Sequence, residues 1–537
     1  MGPDVNDFEL PSLTPDAVPK FVDAATAKAW VSSVPLANVA SAQQTMLDQL
    51  QQFNRCVTRA SARLGALEVL REAVHFVQIE QAKRFTNRAL PMAQAESEVF
   101  SGTIALWEQM RIGYLRCLVA VFADEPGMRA EAARVCQRAL VCAGLKMFHH
   151  YRACRQVPKG EWRILHTLLA KAEELKVVNE VVRDPLNRDV FEASPRIAYL
   201  RAVLMGMASP NELSQRQLTF VAHLLERWAE KVESSAQPAA QDDLPPLVAD
   251  LGGDACPARD GATAKTPRFL DTRALAATLR NRIGLLRKGE SPAKLALGED
   301  CVQPMCEQLL VFLYRQWCQP QRPRGAERRP AAGVALTGND LAAIHFHVSG
   351  KVFRQPGVPT ELSKKEREEL ATFGRISTRD EEFGHARGYQ LERWQVRDES
   401  ASGLKIVRPS GIEGKRHSSG QLISIRREGS QHFVLGQMRW VLETQKGDIV
   451  AGVRLLPGLP GAIAVRPSGL NVANERYVQA LSLTQTESSP PTMVLPPGWY
   501  KPKRVVEVFV EAPVRTRFID LLERGSDYER ISYQVVV

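Results

Sequence analysis

The chain has no cysteine pair at CxxC spacing, no apolar run of bilayer-crossing length, and no basic and apolar leader. Each absence removes a class of protein. Its nine cysteines (Cys56, Cys117, Cys136, Cys142, Cys154, Cys256, Cys301, Cys306 and Cys318) are an odd set scattered mostly through helix-like sequence. Reduced, buried thiols are therefore expected, not a disulfide scaffold or zinc module. The stretch Met1–Pro19 is acidic and proline-bearing, unlike a signal peptide. With no membrane-crossing run, the expected compartment is the cytoplasm. His149–His150 with Cys154 and His166, and His345 with His347, match no metal-ligand spacing. No Ser–His–Asp set is legible either, so a non-enzyme without metal or cofactor is expected.

What the chain does have is length and a modest positive charge. Its 537 residues exceed one ordinary core. Seventy Lys and Arg against sixty Asp and Glu give a formal charge of +10, which favours phosphate-bearing partners without choosing among them. Residues 1–25 read as a flexible leader. Apolar residues at three- and four-residue spacing then predict helices over 45–90, 93–122, 128–154, 161–182, 196–207 and 210–234. Together they make residues 26–234 an all-helical bundle or helical stack. Residues 235–267, rich in Pro, Gly, Ala and Asp, read as a linker that cannot offset its ordering entropy by burial. Two further helices, over 271–286 and 302–317, make 268–320 a helical segment expected to pack near the half that follows.

From Tyr389 the apolar period shortens to two. Strands at 391–396, 404–407, 421–426, 432–442 and 448–456, with Gly and Pro turns between them, predict a closed antiparallel barrel. It occupies 321–460, with an insertion over about 339–388. Residues 461–537 predict a further small β-rich unit with a short helix at 517–524. The fold class expected is multidomain α+β.

Two patterns carry chemistry. Asp398, Ser400 and Gly403 form Asp-x-Ser-x-x-Gly in a hairpin, where Asp and Ser hydrogen-bond locally and Gly permits a positive φ. Upstream, residues 321–330 hold four arginines and one glutamate. Guanidinium forks suit phosphate oxygens and the O6/N7 edge of guanine. Arg375 and Arg379 repeat the Arg-three-Arg spacing of Arg324 and Arg328.

On the hairpin, the Arg-three-Arg pairs and the strands GQLISIRR, HFVLGQMRWVL and DIVAGVRLL, the chain resembles the PilZ-domain family, whose members commonly bind cyclic di-GMP. The resemblance implies a ligand site of Arg324, Arg328, Arg329, Asp398, Ser400 and Gly403. Arg324/Arg328 is preferred because a strand-like AGVALTG follows it. Arg375 and Arg379 lie at a more usual distance from the hairpin and remain the alternative pair, with Arg397 and Arg408 as alternative phosphate contacts. In such a site Asp398 accepts from guanine N1 and N2 while the arginines meet phosphate or stack on a base. The function implied is a cytoplasmic receptor that transmits cyclic di-GMP level to a protein partner through its helical half. Nucleic acid is not the expected partner, and a homo-oligomer is compatible with the sequence. The alternatives are a degenerate PilZ-like scaffold that binds no nucleotide, or a binder of another phosphate-bearing ligand or nucleic acid.

Overall fold

The computed structural model describes residues 8–187, 189–238, 246–259, 264–298, 301, 303–319, 329–357, 368, 371–372, 388–468 and 475–536. The chain divides into two compact units, Met1–Arg88 with Met92–Arg322, and Ala89–Pro91 with Pro323–Val537.

The first unit is built from helices α1 (Ala24–Ser33), α2 (Val39–Arg55), α3 (Ala60–Ala82), α4 (Gln94–Phe122), α5 (Ala132–Arg152), α6 (Glu161–Glu174), α7 (Pro195–Met207) and α8 (Gln215–Trp228), followed by α9 (Arg273–Arg287) and α10 (Met305–Cys318). Their boundaries follow from local chemistry. Ser194 caps α7 just before Pro195, and Ser214 with Gln217 forms a capping box on α8. The single helix expected over 45–90 is two, because Cys56 turns extended after α2 and Arg63 of α3 donates to the carbonyls of Phe53 and Cys56 at 2.8 Å each. A guanidinium thus satisfies carbonyls that a continued helix would have bonded. One continuous core joins Leu50, Leu67, Tyr114, Leu118, Leu168, Leu204 and Trp317.

The segment read as a linker also differs. Short strands β1 (Val182–Arg183) and β2 (Glu192–Ala193) pair together, and β3 (Glu233–Ser235), β4 (Leu247–Asp250) and β5 (Pro267–Asp271) form a three-stranded sheet. Leu247, Val248 and Ala249 are buried, so this stretch does bury apolar surface. The segment 268–320, attached by the sequence reading to the β half, falls in the first unit, with Leu279 and Leu313 in its core. Cys301 and Cys306, read as thiols, form a disulfide, and the other seven cysteines are free.

The second unit contains two closed antiparallel barrels. The first uses β6 (Arg329–Pro330), β7 (Val334–Asn339), helix α11 (Leu341–Ser349), β8 (Glu392–Ser400), β9 (Gly403–Arg408), β10 (Leu422–Arg427), β11 (Val434–Glu443) and β12 (Ile449–Leu455). β7 pairs with β8, β8 with β9, β9 with β12, β12 with β11, β11 with β10, and β10 with β7, closing the ring. This is the closed barrel expected from the two-residue period. The second barrel consists of β13 (Pro460–Pro467), β14 (Val478–Leu483), β15 (Thr492–Leu495), β16 (Val505–Phe509), β17 (Pro513–Arg524) and β18 (Glu529–Val535). The helix expected at 517–524 is part of β17, which pairs with β16 and β18 and accommodates irregular register at Leu521. Ile344 of α11, Leu422 and Leu435 of the first barrel, and Leu481 and Val494 of the second belong to one buried cluster.

Candidate ligand-binding site

The hairpin of the first barrel is set by alternation and then by a break in it. Along β8, Glu392, Trp394 and Val396 are buried while Arg393, Gln395 and Arg397 are exposed. Pairing with β9 runs Val396 to Ile406 and then Asp398 to Lys405, so Arg397 is the extra residue of a bulge. A bulge re-aims the side chains beyond it. Asp398, Glu399 and Ser400 follow, all half-buried.

Ser400 closes the turn, its hydroxyl donating to the Gly403 carbonyl at 3.3 Å. Gly403 is needed for a different reason than a positive φ, which it does not adopt. A Cβ there would sit 2.5 Å from the Val453 carbonyl oxygen of β12, so the glycine permits backbone approach.

Of the arginines named by the motifs, Arg324, Arg328, Arg375 and Arg379 lie outside the described residues. Arg329 does not, and its position links the arginine-rich segment to the hairpin. In β6, Arg329 pairs with Glu399 and Pro330 with Asp398, and the Ala331 amide donates to the Arg397 carbonyl at 3.2 Å. The chain directly after Arg328 is thus laid along the acidic side of the Asp-x-Ser-x-x-Gly turn. Arg427, which ends β10, forms an ion pair with Glu399. Sequence reasoning missed it, although it closes the strand GQLISIRR.

Arg397 is exposed on the bulge, whereas Arg408 is 2% exposed. Arg408 donates to Glu392 at 2.8 Å and to the Lys415 carbonyl at 2.9 Å, and it lies over the Trp394 ring. Burial works to raise the Glu392 pKa, but the hydrogen bond and charge of His417, the Lys415 amide and Arg408 outweigh it and hold the carboxyl at about 2. This buried ion pair braces the base of β8. A glutamate on the buried face of an alternating strand was the signal for it.

Residues 25–239 match the family model described as the N-terminal domain of the cyclic-di-GMP receptor FimW. The match spans α1 to α8. The chain is also 23% identical to the cyclic-di-GMP receptor FimW of Pseudomonas aeruginosa over 541 aligned positions, covering 90% of this chain and 84% of that protein. The similarity to FimW therefore extends beyond the helical region into the β half. No helix among the described residues is long and apolar enough to cross a membrane, and no cluster of three or more His, Cys, Asp or Glu side chains arranged to hold a metal occurs among them.

Proposed function

We propose that the protein is a cytoplasmic, non-catalytic receptor for cyclic di-GMP, whose FimW-like helical region passes the ligand state to a protein partner. The ligand would be held by Arg324, Arg328 and Arg329 together with Asp398, Ser400 and Gly403. The observation that carries this reading is the β6–β8 pairing, which lays Arg329 and Pro330 against Glu399 and Asp398. Guanidinium groups carried on that segment would arrive beside a carboxylate suited to a guanine edge, and a cyclic dinucleotide presents both phosphates and guanines. The similarity to FimW supports the same ligand class. The β6–β8 pairing also favours Arg324/Arg328 over Arg375/Arg379 as the ligand pair, since the former pair leads directly into β6.

Calorimetry of the full-length protein with cyclic di-GMP tests the proposal. Binding by the wild type and a loss of about tenfold or more in each of Arg324→Ala, Arg328→Ala and Asp398→Ala are expected, each lost charge-assisted contact being worth roughly that much. Unchanged affinity in all three, with folding verified by circular dichroism, would reject the assigned site. No detectable wild-type binding would leave the nucleotide-free scaffold as the better reading.

A further inference from the structure

Among the described residues Cys301 and Cys306 form the one disulfide, beside seven free cysteines. Burial makes six of those seven poor nucleophiles. The thiols of Cys117, Cys136, Cys142, Cys256 and Cys318 are pushed up to about 12 and that of Cys154 to about 11, and it is the thiolate that exchanges.

The disulfide is placed differently, where the chain after α9 meets the start of α10. Cys306 is the second residue of α10 and is 1% exposed. Cys301 is 7% exposed and lines an open hollow with Leu286, Gly289, Pro292, Ala293 and Gly298. Gly289, Ala293 and Gly298 bring little side chain to that wall, so Cys301 is the sulfur that a small reagent meets. The charged residue on the wall is Glu290, 4.0 Å from Lys294.

The two sulfurs are also unequal as leaving groups. Amides at the start of a helix favour a thiolate, which stabilises Cys306 once the bond opens. The adjacent Glu307 is itself bound by Arg287 at 2.8 Å. Cys301 instead follows Glu299 and Asp300 in the sequence, and neighbouring carboxylates disfavour a thiolate. Nor is the bond a main support of the fold. It spans five residues, and a short loop gains least from closure. Leu309, Leu310 and Leu313 hold α10 in the core, and the Trp317 indole donates to the Leu204 carbonyl at 2.8 Å.

We propose that Cys301–Cys306 is a thiol–disulfide exchange site for small thiols and dithiols, entered at Cys301. A reductant thiolate attacks the Cys301 sulfur, the S–S bond breaks, and its electron pair leaves on Cys306. The second thiol of a dithiol then attacks the mixed disulfide and releases Cys301. Two electrons pass to the protein, the reductant closes to its own disulfide, and the protons of the dithiol end on the two cysteines. A small disulfide runs the same steps backward. Opening releases the chain after α9 from the first turn of α10. In the cytoplasm, where glutathione keeps thiols reduced, a disulfide of this kind forms and breaks as a redox pair; for that compartment alone the inference rests on the receptor reading.

The test uses the full-length protein, purified without reductant, in graded mixtures of dithiothreitol and its oxidised cyclic form. Free thiols are counted by acid quench, alkylation and mass spectrometry, and the fold is followed by circular dichroism. The count is expected to rise from seven to nine in one two-electron step, to return to seven with the oxidised form, and to leave the helical signal unchanged. Brief exposure to 2-mercaptoethanol is expected to leave the mixed disulfide on Cys301 about tenfold or more over Cys306. A count that stays at seven until the helical signal is lost would make the bond a structural staple. A count of nine before reduction that the oxidised dithiol does not lower would mean that no bond forms, and adducts on Cys306 in equal or greater yield would move the entry point. Each of these overturns the proposal. All are read without nucleotide, so failure of cyclic di-GMP binding leaves them unaffected.

Discussion

Five donors converge on the Glu392 carboxylate: the Asn339 side-chain amide, the Trp394 indole, Arg408, the His417 ring and the Lys415 backbone amide. Removing that negative charge leaves Arg408 buried without its counter-charge. Glu392→Gln is therefore expected to destabilise the barrel by about 3–5 kcal/mol, whereas Glu392→Gln combined with Arg408→Met, which removes the unpaired cation while Gln keeps an acceptor for the remaining donors, should cost less. Urea unfolding of the two variants checks this, and equal losses would remove the ion-pair explanation. Gly403 makes a narrower demand, since its missing Cβ leaves room for the Val453 carbonyl. Gly403→Ala is expected to cost about 1–3 kcal/mol through overpacking, read in the same unfolding experiment.

The strand β6 is only Arg329–Pro330, yet it fixes where the arginine-rich segment ends. Ala331→Pro removes the amide that donates to the Arg397 carbonyl, so the segment should lose its registration against the hairpin. The expected outcome is cyclic di-GMP affinity reduced about fivefold to tenfold through lost preorganisation, with the barrel's melting temperature nearly unchanged. Unaltered affinity would mean that β6 does not position the ligand contacts. Elements of this kind were unevenly legible in the sequence. The alternation of β8 and the turn from Asp398 to Gly403 announced themselves because the strand period is local. The break between α2 and α3 did not, because it depends on Arg63 reaching back to the carbonyls of Phe53 and Cys56. Residues 517–524 carry Phe518, Leu521 and Leu522 at spacings a helix also uses, and only pairing with β16 and β18 makes them strand. The pairing of Arg329 with Glu399 joins residues seventy positions apart, which no local pattern encodes.

Acid should separate the two units. In the helical unit, burial lowers the pKa of His75, His149, His150 and His166, with His150 brought to about 4. A buried neutral histidine binds fewer protons folded than unfolded, so its contribution is full above about pH 6.5 and is lost as pH falls toward the folded value. In the barrel unit His345 and His347 shift the same way, but Asp527 opposes them, its pKa raised by burial to about 6. That carboxyl binds more protons folded than unfolded, so its contribution is complete below pH 3.8 and is lost as pH rises through about 6. The Glu392 contribution, by contrast, is retained until pH falls from 4.5 toward about 2. Between pH 7 and pH 5 the helical unit should therefore lose more stability than the barrels. Hydrogen-exchange mass spectrometry, with opening free energies corrected for intrinsic exchange rates, is expected to show protection falling first in α5 and α6 while β8 to β12 hold. His150→Gln should blunt the fall in α5, and equal losses across both units would show that the buried histidines do not govern the acid response.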